Sequence, residues 1–535
     1  MSGGGGSETM DAYSNFATVP ALIAARAEGL AEQTAVSFEG EPCSFAELER
    51  RAARVQGWLG ERGVEKGDRV AILMRNSLEF FPAWLGVARA GAVSVPINTA
   101  MMGEALAYTL THSESVGLIA DADLIAVVDA AGSFPDLRWR LALGDGALDA
   151  TPFAEALASD PAPAAAPGLE GATPMSIVYT SGTTGMPKGV VLPHQSFTNT
   201  GAYFAHHLRL TPEDRLHTCL PLFHCNAQQT GFMAAMSLGT RFSVNAKFSV
   251  SRFWSWIEES ESTVTNLMGA MLTLLHKVEP GPGDADNTLR LIASAPIPQE
   301  IHKAFERRFG VKLFEGYGLT ETGTMAIANP IDDVRPGAIG LPLEHNEVRI
   351  VEEGDVDVEP GTPGQILIRG RIPNSMMLEY FKEQEKTAEA MEGGWFHTGD
   401  VGKQREDGYY VFLDRMKDTI RRRGENISSF MIEKSILDHE SVLECAVFGV
   451  PSELSEEDVK VIAVLRAGAE LDPQELVDWC AARMADFMVP RYVEYRDSLP
   501  KTETGRVQKF DLRAEGVGAA WDRERDGDRA GTRRR

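Results

Sequence analysis

A chain of 535 residues exceeds what one ordinary hydrophobic core organises and implies two or three domains. With 43% hydrophobic and 24% charged residues it has the composition of a soluble globular protein, and its longest apolar run, Leu267 to Leu275, is about half of the roughly 18 residues a membrane span needs. The formal net charge of -25 excludes nucleic acid and an anionic membrane surface as main partners, and any polyphosphate ligand then requires positive charge concentrated where it binds. Cysteines at 43, 219, 225, 445 and 480 form no pairing pattern, and the opening MSGGGGSETM has neither a basic start nor an apolar stretch. Both features lead us to expect free thiols and a cytoplasmic location.

Residues 1–12 are glycine-rich and expected to be disordered. Phe45, Leu48, Ala52, Val55 and Leu59 recur at spacings of three and four and predict an amphipathic helix. Val70 to Leu73 then reads as a buried strand, Glu79 to Ala90 as a second helix and Ala92 to Val95 as a second strand, an alternation that implies a parallel sheet covered by helices. The stretch Pro161 to Gly168 reads as a linker or surface loop, after which Met175 to Tyr179 resumes as a strand and alternation continues to about residue 330. Val348 to Phe412 carries short strands and Gly/Pro turns. Val442 to Val450 and Val459 to Leu465 predict paired strands. Asp472-Pro473-Gln474-Glu475 is a capping box with proline at the first helical position, opening a helix to about Met484. From Gly516 the chain is polar and expected to be loose.

The strongest chemical signal is the run Thr180-Ser181-Gly182-Thr183-Thr184-Gly185-Met186-Pro187-Lys188-Gly189. Glycines let backbone N–H groups approach phosphate oxygens, hydroxyls add donors and the lysine adds charge. The spacing differs from a Walker A loop, which places four residues between its glycines and Ser/Thr after the lysine. Downstream, Tyr317 offers a face for a purine, Thr320 a hydroxyl donor, and Glu321 a hard oxygen ligand suited to Mg²⁺. Asp400 can accept from ribose hydroxyls. Arg421-Arg422-Arg423 is the one dense basic run of the folded part, and arginine suits phosphate. His217, Cys219, His224 and Cys225 fit no common zinc spacing.

In their order, these motifs resemble those of the adenylate-forming superfamily: acyl-CoA synthetases, peptide-synthetase adenylation domains and beetle luciferases. The resemblance runs from about 20 to 513. It includes the hydroxyl loop, Phe314 to Thr322, Trp395 to Asp400, Asp414-Arg415-Met416-Lys417-Asp418 and Pro500 to Gly505. The wording RRRGENISSF most resembles crotonobetaine/carnitine-CoA ligase-like synthetases.

The resemblance implies an α/β fold: a large N-terminal domain with parallel-sheet α/β subdomains plus a β-rich subdomain, and a small mobile α+β C-terminal domain. The expected partition is 13–414 as the large AMP-binding domain, 415–417 as hinge, 418–515 as the small CoA-facing domain and 516–535 as a polar tail. Implied cofactors are ATP, Mg²⁺ and coenzyme A. The implied partner is a small-molecule acid, with homodimerisation left open.

By the same resemblance Lys188, Thr320, Glu321, Arg506 and Lys417 are catalytic, with Glu321 the metal ligand. The nucleotide and CoA are contacted by Thr180, Ser181, Gly182, Thr183, Thr184, Gly185, Ser294, Ala295, Pro296, Glu315, Gly316, Tyr317, Asp400, Arg415, Gly424, Glu425 and Asn426. Phe223, His224, Gly318 and Thr322 border the acid.

Two positions depart from the family pattern. Arg506 stands where a lysine is usual, and Met431 where close relatives carry glutamate, while Glu433 remains. Arginine is planar and less compact than lysine. The expected function is therefore activation of an acid as its adenylate followed by thioester formation with CoA. Activation of another oxyanion such as nitrite, transfer to an amine or carrier protein, and a catalytically weakened nucleotide-binding protein stay open as alternatives.

Overall fold

The structure is a computed structural model and describes residues 14–146, 149–180, 187–323, 325–416, 419–422, 425–452, 457–484, 486–501 and 507–526. The chain forms two compact units, one comprising residues up to Val348 together with Ile368–His397, the other Arg349–Leu367 together with residues from Thr398 onward.

The first unit is organised by two sheets. Helix Phe45–Glu61 starts at Ser44, whose hydroxyl accepts from Glu47 N, and buries Phe45, Leu48, Ala52, Val55 and Leu59, the stripe its periodicity predicts. It packs on helix Phe80–Arg89, where a Cβ on Gly86 would lie 2.6 Å from the Val55 side chain, so only glycine permits the approach. The proline-rich 161–168 stretch is a strap over these two helices: Ala162 N donates to Ala53 O (3.0 Å) and Ala166 N to Arg89 O (2.7 Å). Among the described residues no helix is long and apolar enough to cross a membrane. All five cysteines are buried and unbridged.

The eight-stranded sheet runs, in spatial order, Glu379–Tyr380, Lys188–Pro193, Pro174–Thr180, Val93–Pro96, Arg69–Leu73, Ser115–Asp121, Trp139–Leu143 and Thr151–Pro152. It is parallel from Pro174–Thr180 onward; Lys188–Pro193 and Glu379–Tyr380 are added antiparallel at one edge. The nine-stranded sheet has a parallel core that includes Leu216–Thr218, Val264–Leu267, Leu291–Ser294 and Lys312–Tyr317. These strands are buried along most of their length, polar residues such as His217, Thr265 and Asn266 included, as in sheets covered on both faces. Their carboxyl ends lead into the segments at 294–297 and 317–322, the place where open α/β sheets bind ligands.

In the second unit, Phe396–Gln404 pairs antiparallel with Tyr410–Arg415. Farther along, Val442–Pro451 and Glu457–Leu465 form the expected antiparallel pair, and Tyr492–Tyr495 joins the latter in parallel. Asp472 caps helix Pro473–Ala481 as expected, accepting from Gln474 N (2.8 Å), the second helical residue and not the third that a capping box uses. Ile420, Ile427, Ile432, Ile436, Val447, Val461, Leu476 and Val493 make its core.

One expectation is corrected. The segment from Gly516 is not loose throughout, because Trp521–Asp522 pairs with Tyr492–Tyr495 and Asp522 takes both Arg491 Nε and Nη2 at 3.2 Å. A polar sequence there hides an ion pair that anchors an edge strand.

Candidate active site

The hydroxyl loop spans the two strands of an antiparallel pair, with Thr180 opposite Lys188 in register. Ser181, Gly182, Thr183, Thr184 and Gly185 lie outside the described residues. Lys188 is half-buried and its ammonium lies 4.6 Å from the centroid of the Tyr380 ring.

After strand Lys312–Tyr317 the chain makes a tight turn at Thr320–Thr322. The Thr322 hydroxyl accepts from Leu319 N (2.9 Å) and donates to Leu319 O (3.0 Å), so this buried side chain shapes the turn. Gly323 follows at φ 69°, and a Cβ there would lie 2.3 Å from Ser375 O; its carbonyl accepts from the Thr200 hydroxyl at 2.8 Å. Glu321 is 8% exposed, its backbone O accepts from Met377 N (2.8 Å), and its Oε1 accepts from the Tyr380 hydroxyl (3.0 Å). Lys188, Glu321 and Tyr380 thus meet, although nearly 200 residues separate the first from the last.

Ser294 and Glu315 are register partners on adjacent parallel strands. Ala295–Pro296 is a cis peptide bond, and Gly269 must lack a Cβ because one would lie 2.1 Å from Pro296 O. Glu315 Oε1 accepts from Ile297 N at 3.1 Å. Its Oε2 and the Ser294 hydroxyl are buried with no hydrogen-bond partner among the described residues, so polar capacity remains at this strand end. A Cβ on Gly316 would come within 3.0 Å of Met325 Sδ, which keeps the strand beside Tyr317 and Gly318 slim.

Burial pushes the Glu315 carboxyl up to about 7, against the Ile297 N–H that favours its anion. An acid raised in the folded state keeps a proton that the unfolded chain gives up, so its contribution is present at low pH and is lost as pH rises toward that value. The wild-type melting temperature should therefore fall relative to that of Glu315→Gln as pH is raised from about 5 to about 8. Parallel pH dependences in the two proteins would refute it.

Phe223 and His224 follow strand Leu216–Thr218 and precede a π-helical turn at Asn226–Phe232, a feature often found at functional sites. Burial lowers the His224 imidazole to about 4, so it is neutral. Cys225, the next residue, is buried, and burial pushes its thiol up to about 12, so it stays protonated. Both ring nitrogens of His217 are engaged within the fold, by Thr265 Oγ1 (2.9 Å) and Asn245 Oδ1 (3.0 Å).

In the second unit, antiparallel pairing places Asp400 opposite Arg415, with Arg415 Nε 3.3 Å from Asp400 Oδ1. The Thr398 hydroxyl accepts from Asp400 N (3.0 Å) and donates to Ile366 O (2.7 Å), which fixes the turn before the acid. Lys417, Gly424 and Arg506 lie outside the described residues. Glu425 and Asn426 are on strand Glu425–Ser428, paired with Arg422 and Arg421.

The arginine run needs a correction. Arg422 is 2% exposed, pairs with Asp458 at 2.9 Å and donates to Val489 O, so it belongs to the core of the unit and not to a phosphate-facing surface. Strand alternation sends neighbouring side chains to opposite faces, which a run of like residues conceals.

An AMP-binding enzyme family model matches residues 23–381, and an AMP-binding enzyme C-terminal domain model matches residues 431–506. The chain belongs to the AMP-binding enzyme family. It is 33% identical over 501 residues to a crotonobetaine/carnitine–CoA ligase of Salmonella paratyphi A, covering 91% of this chain and 97% of that one. Among solved structures it resembles the anthranilate CoA ligase AuaEII in complex with anthranoyl-AMP, with TM-score 0.85, 26% identity and coverage of 93% and 96%. It also resembles ATP-bound MatB from Rhodopseudomonas palustris, with TM-score 0.82, 29% identity and coverage of 92% and 98%. The relatives of this AMP-binding enzyme are AMP-forming CoA ligases, and they support an acid–thiol ligase that uses ATP, Mg²⁺ and coenzyme A.

Tyr380 was not legible as a site residue. Its strand is two residues long, and its partners Glu321 and Lys188 are distant in sequence.

Proposed function

We propose that this AMP-binding enzyme is an acyl-CoA synthetase that activates a small carboxylic acid as its adenylate and passes the acyl group to coenzyme A. The observation that carries the reading is the meeting of Lys188, Glu321 and Tyr380, with Thr320 on the same turn as Glu321 and Glu315 on the strand that leads into that turn. A cation, a hydroxyl and a single buried carboxylate are what a nucleotide triphosphate with Mg²⁺ needs, since Mg²⁺ binds through few carboxylates plus substrate phosphates. Glu321 would hold the ion, which when bound neutralises charge on the departing pyrophosphate.

In the first half-reaction an oxygen of the acid attacks the α-phosphorus of ATP. The bond to the bridging oxygen breaks, leaving acyl-AMP and pyrophosphate. Lys188, Thr320 and the hydroxyl loop of Thr180 to Gly185 would bind the phosphates and stabilise the charge that develops. Ser294, Ala295, Pro296, Glu315, Gly316 and Tyr317 would hold the adenine, and Asp400 and Arg415 the ribose. Phe223, neutral His224 and Gly318 would border the acid. In the second half-reaction the CoA thiolate attacks the acyl carbon and AMP leaves. The small domain would turn about 415–417 to bring Gly424, Glu425 and Asn426 to the CoA.

The acid is proposed as a small carboxylate of the kind the relatives' names describe: crotonobetaine, carnitine or an aryl acid. ATP–pyrophosphate exchange across a panel of fatty, aryl, betaine and inorganic acids, with and without CoA, tests the assignment. A wild type active only with a non-carboxylate would overturn it.

Arg506 is the natural cation of its motif. Lys501 is committed to Glu444 (2.6 Å), and Lys509 to Glu433 (2.7 Å) and the Ser429 hydroxyl (2.6 Å). Arg506→Lys should therefore preserve or raise adenylation, because it keeps the charge and restores the compact donor the family uses. Pyrophosphate release by the two proteins, measured side by side, decides it. A fall with the preferred acid would make the guanidinium part of substrate recognition.

A further inference from the structure

Residues 377–381 tie two sheets together. Met377 N donates to Glu321 O at 2.8 Å, on the turn that follows the nine-stranded sheet's Lys312–Tyr317 strand. Leu378 N donates to Val191 O (2.9 Å) and Phe381 N to Gly189 O (2.7 Å), on the strand that begins with Lys188 in the eight-stranded sheet. Tyr380 is opposite Val190 in that pairing, and its own N–H is taken by the Thr387 hydroxyl at 2.9 Å. The tyrosine backbone is thus held by both neighbours, and the residue is 4% exposed.

Its two ends meet the two charges of the proposed site. The hydroxyl donates to Glu321 Oε1 at 3.0 Å, and the ring face lies 4.6 Å from the Lys188 ammonium. A hydrogen bond to a charged acceptor is among the stronger ones, and a cation over an aromatic face is attracted by the ring quadrupole. A phenylalanine would fill the same volume and keep the ring, so packing alone does not account for the hydroxyl.

We propose that Tyr380 is a positioning residue for the first half-reaction, setting the Glu321 carboxylate and the Lys188 ammonium in one fixed relation. The inference rests on the adenylation reading and deepens it. By engaging Oε1 the phenol restricts how the carboxylate presents itself to a cation, and by lying against the ammonium it keeps the lysine at the phosphate end of the loop. The second half-reaction, in which no pyrophosphate leaves, makes no use of either constraint.

The experiment compares wild type, Tyr380→Phe, Tyr380→Leu and Glu321→Ala. Pyrophosphate exchange should fall about ten- to hundredfold in Tyr380→Phe, the loss expected for one hydrogen bond to a charged group. Thioester formation from supplied acyl-AMP and CoA should stay within about twofold of wild type, since the hydroxyl serves only the first step. Calorimetric titration with ATP, with Mg²⁺ and with EDTA, supplies a readout independent of turnover. The Mg²⁺-dependent gain in affinity should shrink in Tyr380→Phe, and Tyr380→Leu should weaken ATP binding in EDTA as well because the lysine loses its ring. Equal slowing of both half-reactions in Tyr380→Phe, or wild-type exchange and an unchanged Mg²⁺ gain, overturns the proposal. If Glu321→Ala also exchanges pyrophosphate like wild type, the role of Glu321 fails together with that of the tyrosine; if the wild type exchanges none with any acid, the adenylation reading itself fails, an outcome distinct from failure of the tyrosine alone.

Discussion

Pyrophosphate exchange should drop by about a hundredfold or more in Lys188→Ala and in Glu321→Gln, the loss expected when one preorganised charge contact to a transition state is removed. Both side chains are anchored at their backbones by structure that the substitutions leave intact. Lys188 opens a strand whose next residues, Gly189 to Pro193, are buried and paired with Pro174–Thr180, Val190 and Val191 pairing with Glu379–Tyr380 as well. Glu321 sits in a turn closed by Thr322 and fastened by Met377 and Thr200. Glutamine is the informative change at 321, because it still accepts from the Tyr380 hydroxyl while losing its charge. Alanine there would also strand that buried donor, at a cost to stability of about 1–3 kcal/mol, so a lower melting temperature should accompany Glu321→Ala but not Glu321→Gln. Near-normal exchange in both Lys188→Ala and Glu321→Gln would refute the roles assigned to these residues.

The parts of this molecule that the sequence makes legible are those carried by local periodicity or by contiguous chemistry. The buried stripe of Phe45–Glu61 follows from spacings of three and four, and the cap at Asp472 follows from four adjacent residues. What escapes is pairing between distant segments. Tyr380 gains its position from a two-residue edge strand, too short to show alternation, and its contacts to Glu321 and Lys188 cross 59 and 192 positions of chain. Arg422 misleads for the opposite reason: three adjacent arginines suggest a phosphate surface, yet the middle one is buried against Asp458, a partner supplied by another strand. The short strand Trp521–Asp522 is likewise invisible without Arg491 to pair with Asp522. In the last two cases a charged side chain reads as surface until the remote counter-charge that holds it is placed beside it.

Lys417→Pro should slow thioester formation by about tenfold or more beyond its effect on adenylation, a difference of about 1.4 kcal/mol between the two barriers. The reasoning begins on either side of the proposed pivot. Arg415 ends a strand in register with Asp400, and the Asp414 carboxylate accepts from the Ser429 hydroxyl (3.0 Å) and from Phe430 N (3.2 Å), at the start of helix Ser429–Leu437. Hydrogen bonds thus join Asp414, before the pivot, to Ser429 and Phe430, after it. A turn about 415–417 has to break them and settle in new backbone dihedrals, which proline forbids by holding φ near about -65° and by pushing the preceding residue toward extended conformations. One arrangement then survives and the other is lost, as in other hinges where a few residues absorb the whole dihedral change. Single-turnover assays with ATP, acid and CoA should show acyl-AMP accumulating in Lys417→Pro while thioester lags. Lys417→Ala, which leaves the dihedrals open, should not accumulate the intermediate. Equal slowing of both half-reactions by proline, or accumulation of acyl-AMP with alanine as well, would mean that the Lys417 backbone is not the pivot.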